Sequence, residues 1–122
     1  MDREKFEKLV SMTIQALPDE FAHRLENIAI VVQDWPSPDQ LHRVGSRHKH
    51  FLLGLYEGVP LTKRGHNYGL VPPDQITIFQ KPIEKMCGQS DTEVGAEIAR
   101  VVKHEIAHHF GISDARLKEL DM

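Results

Sequence analysis

The chain reads as an α+β protein: a small twisted mixed β-sheet packed against an N-terminal helix and a long helix late in the sequence. Three observations predict this. Apolar residues recur at helical spacing near the start and again over residues 92–110. Between those stretches lie three short runs with the β-branched content or the alternation of strands. The order α-α-β-β-β-α, with an apolar face on each helix, calls for three or four strands in one sheet with helices stacked on it. A length of 122 residues predicts one domain.

Residues 2–17 place Phe6, Leu9, Val10, Ile14 and Leu17 on one side of a first helix. Pro18 interrupts it. Residues 19–25 form a short second helix carrying Phe21, Ala22 and Leu25, with His23 at its surface. Residues 27–32 are a strand by their β-branched content, and the unbroken apolar run predicts a central strand covered on both faces. Asp34-Trp35-Pro36-Ser37-Pro38-Asp39 breaks the pattern. The polar stretch from there to residue 50, with His42, His48 and His50, reads as a solvated loop.

Residues 51–56 form the second strand, which ends in the turn Glu57-Gly58-Val59-Pro60. Residues 62–73 are a long surface loop holding Gly65, His66, Tyr68, Gly69, Pro72 and Pro73. Residues 75–80 are the third strand, with Ile76 and Ile78 on one face and Thr77 and Phe79 on the other. Residues 81–89 read as irregular, with a helical turn at 83–86. The long helix covers residues 92–110. Val94, Ile98, Val102, Ile106 and Phe110 follow one another at i+4, opposite Glu93, Glu97, Arg100, His104 and His108. Ser90 is placed to cap it, with Glu93 in capping-box position. A short helix over residues 113–120 closes the chain.

Composition narrows the function. Hydrophobic residues at 40% and charged residues at 27% fit a soluble globular protein. A net charge of −3 speaks against a nucleic-acid partner. The first 17 residues are charged and amphipathic, unlike a signal peptide, and no apolar run reaches membrane-spanning length. The expected location is the cytoplasm. The single cysteine, Cys87, excludes an internal disulfide and reads as a small structural residue. Oligomeric state is not set by any of these features.

The chemistry sits in the long helix. His104-Glu105-x-x-His108 is followed by x-x-Gly111-x-x-Asp114. Positions i and i+4 lie about 40° apart around a helix, so His104 and His108 can point two imidazoles at one metal ion. Glu105 faces elsewhere, within reach of a water on that ion but not placed as a ligand. Gly111 can end the helix and let the chain return Asp114 as a third ligand. Two histidines and one carboxylate leave the fourth tetrahedral position of zinc open, as catalytic sites do. Zinc lowers the pKa of a bound water to about 7, and a neighbouring carboxylate can take its proton. The residues therefore point to metal-assisted hydrolysis of an amide. Glu105 is the candidate general base, and His104, His108 and Asp114 are the candidate ligands of one Zn2+. Such a donor set also accepts other divalent metals such as manganese or iron.

The motif His104-Glu105-x-x-His108-x-x-Gly111-x-x-Asp114 resembles the extended zinc signature of the metzincin side of the zincin metallopeptidases. Most of those carry His at the third ligand position, and some carry Asp, as here. The wider chain is similar to the small bacterial zincin-like metallopeptidases, or minimal zincins. The likeness runs through Phe6-Glu7-x-Leu9-Val10, Leu53-Gly54-Leu55-Tyr56-Glu57-Gly58-Val59-Pro60-Leu61, Pro73-Asp74-Gln75-Ile76-Thr77-Ile78-Phe79 and His104 to Ile112. It implies a compact zincin-like fold, one zinc ion and a peptide or protein substrate. It also implies an edge strand, here residues 75–81, along which an extended substrate lies antiparallel. The sequence departs from the metzincin pattern in one respect. Eight residues follow Asp114, with Met122 the one methionine among them, so neither a Met-containing turn nor a C-terminal subdomain is expected.

Two other readings belong to different classes. One is a zinc-binding regulatory or interaction module without peptidase turnover. The other is a zincin-like endoribonuclease, which Glu105, Asp114 and the acidic net charge disfavour.

Overall fold

The computed structural model describes residues 1–45, 51–58 and 74–110. Their elements are α1 (Arg3–Gln15), α2 (Asp19–Arg24), β1 (Ile28–Gln33), α3 (Pro38–Arg43), β2 (Gly54–Gly58), β3 (Asp74–Phe79), α4 (Gln80–Cys87) and α5 (Asp91–Phe110). The α+β class is as predicted. The three strands form one mixed sheet in the order β1-β3-β2. β1 runs parallel to β3 with Ile30 opposite Ile76, and β2 runs antiparallel to β3 with Leu55 opposite Thr77.

This order overturns two expectations. The apolar run of β1 predicts a central strand, but among the described residues β1 is an edge, and its residues are only half-buried. β3, expected as the edge beside a substrate, is the central strand, paired on both sides. Side-chain hydrophobicity reports what covers the faces of a strand. It says nothing about whether the backbone on either side is paired.

One face of the sheet carries the core. Ile76 and Ile78 of β3 pack with Phe6 and Val10 of α1 and with Val94, Ile98, Val102 and Ile106 of α5. Each of these large side chains contributes about 1.5–3 kcal/mol by leaving water. α1 starts at Asp2, whose carboxylate accepts the Lys5 main-chain N–H at 2.8 Å. α5 starts after Ser90, whose hydroxyl accepts the Glu93 N–H at 3.3 Å, as the sequence predicts. The stripe on α5 is shorter than expected, because Phe110 is 41% exposed beneath the Arg24 guanidinium, 5.0 Å from its ring centre.

The other face of the sheet carries the fully buried Phe79 of β3 and a set of polar contacts. Thr77 is fully buried and donates to Glu57 at 3.2 Å. Gln40 of α3 exchanges 3.1 Å bonds with Gln33 and donates to Glu57, which also receives Arg43 at 2.8 Å. Hence residues 38–43 are a helix where the sequence predicts a loop. Its signals are local: a capping box between Ser37 and Gln40, and Pro38 in its first turn. No apolar stripe marks it because its buried residue is an amide.

α4 is likewise longer than the expected single turn. Pro82 sits in its first turn, where a backbone N–H has no helical acceptor to lose. Gln80 donates to the Met1 carbonyl at 2.9 Å and accepts from Arg3 at 3.0 Å, which fixes the helix start. Gly88, at φ 74°, ends the helix by donating to the Glu84 carbonyl at 2.7 Å. The second strand begins at Gly54 rather than at residue 51, and Phe51 is 74% exposed. The predicted loop over residues 62–73 and the helix over residues 113–120 lie outside the described residues. No helix among the described residues is long and apolar enough to cross a membrane.

Candidate metal centre

The second half of α5 lies across the margin of the sheet. Val101, Val102, Ile106 and Ala107 are buried, His104 and Glu105 are half-buried, and His108 and His109 are exposed. Helical spacing sets His104 and His108 side by side. Their ring centroids are 6.2 Å apart and the planes meet at 69°. Two imidazoles at a Zn–N distance of about 2.1 Å on one tetrahedral ion have centroids about 5 Å apart. The observed separation is thus about 1 Å wider than a shared ion requires, and imidazole nitrogen is a donor that suits a borderline-soft divalent metal. Asp114, the third predicted ligand, lies outside the described residues, as do His48, His50 and His66. Among the described residues no three His, Cys, Asp or Glu side chains group to hold a metal. His42 lies on α3, in its last turn. Cys87 packs against the core, and burial pushes its thiol pKa up, which suits a structural role.

Glu105 is set by β2. In the β2–β3 pairing the Phe79 N–H donates to the Leu53 carbonyl at 3.0 Å, so Leu53, Leu55 and Glu57 turn their backbone groups toward β3. Gly54, Tyr56 and Gly58 turn theirs outward. The outward N–H of Tyr56 donates to the Glu105 carboxylate. Burial pushes the Glu105 pKa above the ordinary carboxylate value, and positive charge on His108 and the Tyr56 N–H offset part of that rise.

The strand and helix come this close because Gly54 has no side chain. A Cβ at Gly54 would lie 2.3 Å from Val101 Cγ1 and 3.9 Å from Glu105 Cγ. Beside this contact a cleft of about 200 Å³ opens, lined by Leu53, Gly54, Arg100, Val101, His104 and Glu105. The first histidine and the predicted base therefore share one cleft.

Sequence reasoning missed three further groups here. The Tyr56 ring stacks on His109 at 3.9 Å between centroids, with the planes 13° apart. Its hydroxyl donates to Asp74 Oδ2 at 2.6 Å, and His109 Nε2 lies 4.0 Å from the same oxygen. Burial, together with the Asp74 carboxylate, raises the Tyr56 pKa and keeps the phenol protonated. This contact ties the last turn of α5 to both β2 and β3. Its members are far apart in sequence, and the one available signal is that Tyr56, Asp74 and His109 all fall inside segments that resemble the minimal zincins.

The family model described as "Zincin-like metallopeptidase" matches residues 25–122. No curated protein matches the chain.

Proposed function

The chain belongs to the zincin-like metallopeptidase family, and on that premise we propose that it hydrolyses peptide bonds with one bound divalent metal, zinc by preference. The observation that carries this is the grouping on α5. Two imidazoles stand side by side on one helix, next to a half-buried carboxylate that accepts from a main-chain N–H of the neighbouring strand.

His104 and His108 would hold the metal, with Asp114 as the third ligand on the strength of its spacing. When bound, the ion supplies Lewis acidity toward a carbonyl oxygen and makes water more acidic. Glu105 removes the proton of the attacking water and delivers it to the departing amine. A carboxylate raised by burial suits both halves of that transfer, since it is a stronger base than an exposed one and still releases its proton. The Tyr56 N–H orients the carboxylate while it does so. The outer edge of β2, not β3, is the strand edge next to this carboxylate. The outward carbonyls of Gly54 and Tyr56 are the groups an extended peptide or protein substrate could pair with there. We place this activity in the cytoplasm, with neither nucleic acid nor membrane as a partner.

The test is cleavage of a mixed peptide library by the purified chain, with and without chelator, alongside its metal content. Chelator-sensitive cleavage is expected. Zinc-loaded protein that cleaves nothing would instead favour a metal-binding module without turnover.

A further inference from the structure

The outer edge of β1 carries a donor and acceptor pattern that is its own complement. The β2–β3 register turns the backbone groups of Leu53, Leu55 and Glu57 toward Thr77 and its odd-numbered neighbours, so Asp74, Ile76 and Ile78 turn theirs toward β1. Parallel pairing with Ile30 opposite Ile76 then has Ala29, Val31 and Gln33 bond to β3, while Ile28, Ile30 and Val32 face outward. Two of the outward groups are already used. The Ile28 N–H donates to the Leu25 carbonyl at 3.1 Å, and the Val32 carbonyl accepts from Arg3 at 3.1 Å. The Ile28 carbonyl, both Ile30 groups and the Val32 N–H have no partner among the described residues.

We propose that β1 pairs with β1 of a second copy of this chain, antiparallel about a two-fold axis at Ile30, so that the two sheets become one. In that register Ile30 faces the partner's Ile30, and each N–H meets the other's carbonyl. The Ile28 carbonyl meets the N–H of the partner's Val32, and the symmetric bond forms in return. Every outward group left over in one copy has its opposite in the other. The two groups that the pairing does not use are those bonded within the chain. A two-fold axis normal to the sheet keeps both core faces on one side. There, a groove of about 630 Å³ lies between α1 and β1, lined by Val10, Ile14, Ile30 and Val32 together with the polar Glu7, Ser11 and Gln15. The apolar side chains of the partner strand enter it. The register sets the partner's Glu26 opposite Asp34, and the repulsion of these carboxylates is offset by Arg3, bonded to Asp34 at 2.6 Å. From Ile28 to Gln33 there is no charge, proline or glycine to keep another strand away.

The experiment is sedimentation of the full chain over a range of concentrations, with amide hydrogen exchange. The chain is expected to be a dimer that dissociates on dilution, with the Ile30 and Val32 amides protected only in the dimer. Ile30→Pro removes an outward N–H and no bond to β3, which an edge strand tolerates. It is expected to weaken the dimer roughly a hundredfold, because the two-fold axis doubles the loss. Val32→Pro removes the other outward N–H and serves if Ile30→Pro fails to fold. A wild-type chain that stays monomeric overturns the proposal, including the case in which the edge takes a foreign strand instead. So does a dimer that a folded proline variant leaves unchanged.

Discussion

The two edges of the sheet differ in what their outward backbone groups meet. At the β2 edge the backbone is drawn onto α5. Gly54 lets the strand touch Val101, the outward Tyr56 N–H is taken by Glu105, and the Tyr56 ring and hydroxyl are fixed by His109 and Asp74. At the β1 edge the middle of the strand has no backbone partner among the described residues, and it borders a groove of mixed lining. If both proposals hold, one short sheet keeps chemistry at one edge and assembly at the other. At the β2 edge the Tyr56 N–H is committed to Glu105 within the chain, and the outward positions of β1 are the apolar Ile28, Ile30 and Val32. Substitutions at β2 should therefore disturb the metal centre, and substitutions at β1 should not.

The largest effects are expected at the centre itself. His104→Ala/His108→Ala should lose the bound metal, read as metal content per chain, and a double variant that keeps its metal would move the site elsewhere. Glu105→Gln keeps the size of the side chain but cannot accept a proton. It should retain metal and lose roughly a hundredfold or more in cleavage rate. Equal loss of metal and activity would make Glu105 structural.

Next comes the contact that brings β2 to the helix. Gly54→Ala places a Cβ 2.3 Å from Val101 Cγ1, a stiff and buried β-branched side chain. The expected cost is about 1–3 kcal/mol, read from denaturant unfolding. Gly58→Ala on the same strand meets Asp74 Oδ1 at 3.3 Å and should cost less. Equal losses would show that the close approach at Gly54 is not special. Tyr56→Phe keeps the stack on His109 and removes the bond to Asp74, for an expected loss of about 1 kcal/mol.

The smallest effect lies at the end of β1. The Arg3 hydrogen bond holds the exposed Asp34 carboxyl below its ordinary value of 3.8. A lowered folded pKa contributes stability that is fully present above the unfolded value and is lost as pH falls through the folded one. Asp34→Asn should therefore melt slightly below the parent at neutral pH, and the gap should close as pH falls under 3.8. A gap that is constant with pH would mean that the carboxylate charge contributes nothing. Cleavage should be unchanged, as the comparison of the edges requires.

Much of the centre is legible in the sequence because its logic is local. The i, i+4 spacing of His104 and His108 and the apolar stripe from Val94 to Ile106 are properties of one helix, and helical geometry alone places them. The cap at Ser90 is local as well. The capping box at Ser37 is equally local, yet no apolar stripe follows it to announce a helix, because α3 buries Gln40 instead.

Tertiary structure decided which strands are edges. Ile28–Gln33 is hydrophobic enough for a central strand, yet strand order depends on pairings between distant segments, which side-chain pattern does not encode. The same is true of the Tyr56–Asp74–His109 contact, whose members come from β2, β3 and α5. The orientation of Glu105 is tertiary too, because it rests on a backbone N–H. Every residue but proline carries one, so no letter of the sequence marks the strand position that turns it toward the helix.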